Sequence, residues 1–262
     1  MTTAALTPEE VSAPSYDQIV DAYGLTILKA RADWSLENGD LAMTKDGDIK
    51  VGDTAYNGLF RLVQTWRYNA PHLRYLFETM NKMCGWSKSL DEKMNAIGEE
   101  RMAQFCIDTY GKSDTKFAEY AAALNAVWEE QGVATFGAAT YGGCLMLILS
   151  GALLRFADDT DAKGEWSKIG PFFNGHSVGP IIAAAANGFR HTDEWAKTRI
   201  PTRQQKASQD IINGALSGFP APDESSPGRC VEVLQLLSGG DFECLASNVF
   251  TFAHNLALKA RM

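Results

Sequence analysis

The residues that can do chemistry are concentrated in one segment, NGFRHTDEWAK at positions 187–197. Asn187, Arg190, His191 and Glu194 follow one another at spacings of three and four, so on one helix their side chains share a face. A guanidinium binds phosphate and an imidazole exchanges protons near neutral pH, a combination that suits an anion or a phosphodiester. We therefore predict catalytic roles for Arg190, His191 and Glu194, and substrate-binding roles for Asn187, Trp195 and Lys197.

The same face also has a purely structural interpretation. Arg190 and Glu194 have the i, i+4 spacing of an ordinary surface ion pair, and His191 can form a hydrogen bond where the helix leaves the core. Conservative substitutions separate the two interpretations. Arg190→Lys and His191→Gln should abolish an enzyme but barely disturb a scaffold.

The helix that must present these side chains is predicted to begin near Pro180. Proline suits the first turn of a helix, and Ser177 can cap it. Apolar residues then recur at helical spacing: Ile181, Ile182, Ala185, Ala186 and Phe189. The chain carries a net charge of −8, so a polyanion must be met by a local basic group. Such a group is formed by Arg190, Lys197, Arg199, Arg203 and Lys206.

The whole chain of 262 residues is predicted to be all-α, a multi-helix bundle of roughly eight to ten helices with a small N-terminal β-hairpin. We expect a flexible N-terminus at residues 1–14 and a single helical domain at residues 15–262. Within this domain, the hairpin covers residues 40–52 around Asp46-Gly47. A connecting loop is expected at residues 155–175 and a flexible Pro/Ser-rich loop at residues 217–229.

Glycine, proline and capping residues predict where the helices begin and end. The first helix should run from a capping box at Ser15 to Gly39, and later boundaries fall at Pro71, Gly85, Ser89 and Gly132. A capping box of Thr202 and Gln205 opens another helix. Residues 132–154 lack any charge and are long enough to span a bilayer. Only residues 144–149 are strongly apolar, however, so we favour a buried central helix over a membrane span.

The sequence lacks the motifs that are typical of several classes of protein. None of the four histidines has a His or Cys partner at metal-ligand spacing, and the acidic segment after residue 157 is interpreted as a surface loop. There is no nucleotide-binding loop and no nucleophile elbow. We therefore predict no metal and no cofactor. The cysteines form no CxxC pair and the N-terminus lacks signal-peptide features, so a cytoplasmic protein is expected.

The stretch NGFRHTDEW, in its helical context, resembles HEPN proteins, which are helical bundles of bacterial toxin and defence systems. The resemblance implies cleavage of RNA without a metal ion by Arg and His from paired helices. His191 would take the proton of a ribose 2′-hydroxyl, and Arg190 would stabilise the charge on the phosphoryl oxygens. Asn187 and Glu194 would orient these two groups.

The family's signature places several residues between Arg and His, whereas Arg190 and His191 are adjacent. Residues 67–72 match that spacing formally, but Pro71 within them is expected to disrupt the helix.

The predicted function is therefore that of a HEPN-like toxin or defence protein that acts on RNA, as a metal-independent ribonuclease if the site is active. A second copy would complete such a site, so a homodimer is expected. The alternative is a non-catalytic helical protein that works by assembly or by binding a protein partner. The acidic net charge and the lack of enzyme motifs favour this alternative.

Overall fold

The computed structural model describes residues 12–108, 114–197, 200–220 and 229–262, without the side chains of residues 99–108, 114–120, 193, 195 and 196. The prediction of an all-α fold is confirmed, because this part of the chain contains eight α-helices and only two short antiparallel strand pairs. Most of the predicted flexible segments, at residues 1–11 and 221–228, lie outside the described residues.

The elements follow one another from α1 to α8. The helices are α1 (Tyr16–Ala22), α2 (Thr54–Asp108), α3 (Asp114–Asp159), α4 (Val178–Arg190), α5 (Thr192–Lys197), α6 (Arg203–Ala215), α7 (Cys230–Ser238) and α8 (Phe242–Ala260). The strands are β1 (Leu36–Glu37), β2 (Asp40–Leu41), β3 (Phe172–Phe173) and β4 (His176–Ser177). Two short 3-10 helices cover Thr26–Lys29 and Lys163–Lys168.

The first helix is much shorter than predicted. Ser15 and Gln18 form the expected capping box, but α1 ends at Ala22. Gly24 then adopts a φ of 59°, a conformation that glycine reaches without steric cost and that turns the chain out of the helix. The apolar spacing that continues beyond this glycine belongs to a 3-10 turn and to the strands that follow.

The predicted N-terminal hairpin is present, and it extends further toward the N-terminus than expected. Asn38 and Gly39 have φ values of 52° and 91° and form the two-residue turn between β1 and β2. Gly39 is therefore a hairpin residue, and its prediction as a helix end was wrong. The turn that was predicted at Asp46-Gly47 is also formed, since Met43 and Ile49 make an antiparallel bridge on either side of it.

Helices α2 and α3 are far longer than predicted. Pro71, Gly85 and Ser89 lie inside α2, and Gly132 lies inside α3, so none of them ends a helix. In a helix interior a glycine costs about 1 kcal/mol and a proline about 3 kcal/mol relative to alanine. Burial of a large apolar side chain such as Phe77 returns about 1.5 to 3 kcal/mol. Several such residues in the same helix outweigh the local propensities.

The two long helices form an antiparallel hairpin. Its pairing is fixed by polar contacts at successive levels, with Arg61 bonded to Asp159 near the base and the Ser87 and Thr135 hydroxyls 3.2 Å apart further out. Beyond this level the apolar contacts are between the two helices themselves. They form an outer cluster in which Leu90, Val127 and Ala134 are buried, with Trp86, Met94 and Ile97 packed around them.

The base of the hairpin forms the main core with α1, α4, α7 and α8. Helix α4 crosses α3 where Gly143 meets the ring of Phe189, and its start lies against Phe252 of α8. In the predicted central segment, Leu145, Met146 and Leu149 are buried as expected. The helix segment Ala121–Asp159 is nevertheless long and apolar enough to cross a membrane, and only 50% of its most apolar window is buried.

A second hairpin, β3 and β4, lies where the sequence predicts only a connecting loop. Asn174 and Gly175 form its turn, and this Asn-Gly pair is a strong hairpin sequence. The Asn174 amide also donates to the carbonyl oxygen of Ala215 at 2.6 Å. The hairpin therefore holds the C-terminal end of α6, the helix that forms one wall of the candidate site.

Candidate functional site

Helix α4 delivers the predicted residues to the surface. It begins at Val178, so Pro180 lies within its first turn, as the residue's missing N–H requires. Ser177 occupies the position before the helix, but its hydroxyl donates to the carbonyl oxygen of Ile169 and does not cap α4. The apolar stripe is buried as predicted, and the polar residues follow at the exposed C-terminal end.

The helix is interrupted at His191, which corrects the prediction of one continuous face. Helix α4 ends at Arg190, His191 has φ −112° and ψ 20°, and α5 begins at Thr192. The Thr192 hydroxyl donates to the carbonyl oxygen of Gly188 at 2.7 Å. The carbonyl oxygen of Gly188, in the last turn of α4, therefore accepts from a side chain. Threonine hydroxyls often bend helices in this way.

Across the break, His191 is joined to Glu194. Its Nδ1 lies 3.0 Å from Oε2 of Glu194, and the imidazole side chain is about one-third exposed, at 38%. A carboxylate on Nδ1 favours the tautomer that carries its proton there, so Nε2 is left as an acceptor. This is the arrangement in which an imidazole acts as a general base.

The pair opens on a small cleft between the end of α4 and the start of α6. Its volume is about 220 Å³, and every residue that lines it has a polar side chain. The lining residues are Asn187, His191, Glu194, Thr202, Gln204, Gln205 and Ser208. Three of the predicted site residues, Asn187, His191 and Glu194, are therefore brought together.

The start of α6 contributes the other residues that line the cleft, and the sequence did not predict any of them as site residues. Thr202 and Gln205 form the predicted capping box, in which the Thr202 hydroxyl accepts from the Gln205 backbone N–H. Ser208 is only 6% exposed and makes no side-chain hydrogen bond within the described part of the chain. The capping box identified the start of a helix, but nothing in the local pattern shows that this start faces His191.

Arg190 lies outside the cleft lining. It is exposed at the last position of α4, and within the described residues its guanidinium forms no ion pair. The alternative ion pair of Arg190 with Glu194 is also not formed, because Glu194 bonds to His191. Lys197 is exposed at the end of α5, and Trp195 lies on α5 with a side chain outside the described set.

The predicted basic residues lie close in the chain to residues that line the cleft, and we call them the basic rim. Arg190, Lys197, Arg203 and Lys206 are all exposed, and Arg203 lies directly between two lining residues in the chain. Among the described residues none of these four forms an ion pair, whereas Arg61, Arg74 and Arg155 each bind a carboxylate. Arg199 is outside the described residues. The rim therefore offers unneutralised positive charge in an acidic protein.

The formal Arg-to-His match at residues 67–72 does not form a site. Pro71 is accommodated inside α2, so the expected helix disruption does not occur. Nε of Arg67 donates to the carbonyl oxygen of Pro14 at 3.1 Å, while His72 is exposed. The arginine thus has a structural role in holding the chain that leads into α1.

No family model, curated protein or solved structure matches the chain. Within the described residues, no group of three or more His, Cys, Asp or Glu side chains is placed to hold a metal ion. The chemistry of the cleft must therefore be inferred from its own side chains.

Proposed function

We propose that the cleft between α4 and α6 is an acid–base site that cleaves RNA without a metal ion. The observation that carries the proposal is the 3.0 Å contact between His191 Nδ1 and Glu194 Oε2 at the wall of a polar cleft. It holds the imidazole in one orientation and leaves Nε2 for a substrate proton. The basic rim supports a phosphodiester substrate, because it can bind a polyanion that the rest of the chain would repel.

The reaction that suits these groups is transfer of the phosphoryl group within the RNA strand. Nε2 of His191 takes the proton of a ribose 2′-hydroxyl, and the oxygen attacks the adjacent phosphorus. The bond from phosphorus to the 5′-oxygen breaks, the leaving 5′-oxygen takes a proton from solvent water, and a 2′,3′-cyclic phosphate remains. The proton that His191 accepted is then released to solvent. Asn187 and Gln204 can donate amide hydrogen bonds to the phosphoryl oxygens or the base.

Arg190 enters this mechanism at the rim and not inside the cleft. Its exposed guanidinium would bind a phosphate of the strand on either side of the reacting one. Adjacent residues on a helix point about 100° apart, so His191 can serve the cleft while Arg190 serves the rim.

The proposal is tested by incubating purified protein with total RNA in EDTA. We expect wild type to cleave and His191→Ala to lose activity by a factor of about 100 or more, as is typical when a general base is removed. His72→Ala is the matched control, because His72 is an exposed histidine on α2 outside the cleft, and it should keep full activity. Equal helix content by circular dichroism ensures that folded proteins are compared.

Glu194→Gln gives a second, finer test. The amide keeps the shape of the side chain but loses the charge that fixes the imidazole tautomer, so activity should fall by less than it does in His191→Ala. Cleavage that is unchanged in His191→Ala, or no cleavage by wild type, would contradict the proposal.

A second candidate is the non-catalytic one, a helical protein that works through assembly. The observation that favours it is the set of large apolar side chains that the outer part of α3 exposes: Trp128, Val133 and Phe136. A surface of this kind marks interaction sites more often than it marks free protein surface. His191→Gln would leave such a function intact, which separates the two candidates.

A further inference from the structure

Two polar side chains in the cleft between α4 and α6 have no hydrogen-bond partner in the described part of the chain. Ser208 is only 6% exposed and lines the cleft from α6. Asn187 is half-buried and lines the cleft from α4. Neither the Ser208 hydroxyl nor the Asn187 amide forms a side-chain hydrogen bond among the described residues. Buried polar groups are almost always bonded, so these two bind either water or a ligand that enters the cleft.

We propose that the cleft binds one unpaired nucleobase of the RNA strand by its edge, and that Ser208 and Asn187 select this base. The inference rests on the proposed ribonuclease function, because the base in the cleft belongs to the nucleotide whose 2′-hydroxyl faces His191. A hydroxyl and an amide can each donate and accept hydrogen bonds, and so can the edges of nucleobases. Fixed together in one cleft, they match the donors and acceptors of one base better than those of the others.

The distribution of charge favours a base, and not a phosphate, inside the cleft. Among the described residues that line it, Glu194 is acidic and none is a lysine or an arginine. A phosphate in the cleft would therefore lie near a carboxylate without a lysine or an arginine to neutralise it. The exposed cations of the basic rim are outside the lining, where they can bind the phosphates of the strand. The amides and hydroxyls of the lining suit a neutral base.

The size of the cleft fits a single base. Its volume of about 220 Å³ is below the range of roughly 300 to 1,000 Å³ that is typical of pockets for drug-sized ligands. One base can therefore enter, whereas a base pair cannot. The described lining contains no aromatic side chain on which a base could stack, so recognition depends on hydrogen bonds to the edge of the base. The loss of one such bond should then change binding measurably.

Fluorescence anisotropy of short 2′-deoxy oligomers of adenosine, cytidine or uridine measures binding without reaction, because these oligomers have no 2′-hydroxyl. Wild type should bind one of the three at least about fivefold more tightly than the other two, the factor expected for one hydrogen bond. Ser208→Ala should weaken binding of this preferred oligomer by about the same factor and leave binding of the other two nearly unchanged. Asn187→Ala should have the same selective effect.

Ser150→Ala is the matched control. Ser150 is also 6% exposed, but it lies on α3 and does not line the cleft. This variant should bind all three oligomers as wild type does, with helix content checked by circular dichroism. Equal binding of the three oligomers by wild type, no binding of any of them, or the same result for Ser208→Ala and Ser150→Ala would overturn the proposal. Equal weakening of all three by Ser208→Ala would also overturn it, because the hydroxyl would then bind the backbone of the strand.

Cleavage of the three RNA homopolymers separates this inference from the proposed function. Ser208→Ala should lower kcat/KM for the preferred homopolymer by about fivefold. His191→Ala should stop cleavage of all three but keep the binding preference for the 2′-deoxy oligomers. If His191→Ala cleaved RNA as well as wild type, the proposed function would fail and the binding preference would still test the base site. If cleavage required His191 but showed no base preference, the selection of a base alone would fail.

Discussion

Among single residues, Arg61 is the one whose loss we expect to matter most for stability. It is 15% exposed and donates to Asp159, itself 10% exposed, at 3.2 Å and to Asp48 at 2.5 Å. Burial raises the pKa of Asp159, and the Arg61 guanidinium beside it opposes that rise. Without the arginine, Asp159 is a buried charge with no nearby cation. Arg61→Ala should therefore lower the free energy of unfolding, measured with urea at pH 7, by about 3 kcal/mol.

Arg155 is the control for this substitution. It contacts Asp48 at 3.3 Å, but its side chain is exposed, so Arg155→Ala should cost less than about 1 kcal/mol. Acid offers a further check. A carboxyl whose pKa is raised in the folded state destabilises the protein at neutral pH and ceases to do so as it is protonated, so the deficit of Arg61→Ala should shrink toward pH 4. If Arg61→Ala lowered the free energy of unfolding equally at pH 7 and pH 4, the loss would come from packing and not from the charge of Asp159.

Among the elements, the crossing of α3 and α4 is the one that most depends on a small residue. A Cβ at Gly143 would lie 2.1 Å from the Phe189 ring, which is close to the end of α4 and the candidate site. Gly143→Ala should therefore destabilise by about 1 to 3 kcal/mol through overpacking, and it should weaken RNA cleavage by displacing the end of α4. Urea unfolding and the cleavage assay measure the two effects.

Gly85→Ala is the same chemical change as Gly143→Ala, but we expect it to have the opposite effect on stability. Gly85 is exposed inside α2 with open space around it, so alanine should stabilise the helix by up to about 1 kcal/mol. Destabilisation by both substitutions to the same extent would show that the Phe189 contact is not the cause.

These glycines also show what the sequence could predict about the elements and what it could not. The spacing of apolar residues and the capping boxes at Ser15 and Thr202 identified helices correctly, because caps and amphipathic faces depend on nearby residues. The ends of α2 and α3 could not be found in this way. A glycine inside a helix and a glycine that ends one have the same local sequence, and contacts with distant residues decide between them.

Only part of the candidate site could be predicted from the sequence, because the rest depends on contacts between residues that are distant in the chain. Asn187, His191 and Glu194 are close in the chain, so their spacing could suggest a common face. Gln204 and Ser208 reach the cleft only through the packing of α6 on α4, which no periodicity encodes. The interruption at His191 is accompanied by hydroxyl bonds from Thr192 to the carbonyl oxygens of Gly188 and Phe189, which the sequence pattern does not predict.

In the molecule as a whole, the long hairpin joins two regions of unequal stability. The base packs into the main core, where α2 and α3 contribute residues such as Phe77 and Phe156. Among the described side chains, the outer part is held by a small cluster in which Leu90, Val127 and Ala134 are buried. We expect hydrogen exchange to show this difference, with amides at 86–98 and 124–136 opening at a free energy ~2 kcal/mol or more below that of amides at 59–77 and 145–156.

Amides in the base of the hairpin should exchange only through global unfolding, whereas amides in the outer part should exchange through local opening of α2 and α3. Uniform exchange along both helices would show instead that the hairpin opens only when the whole molecule unfolds.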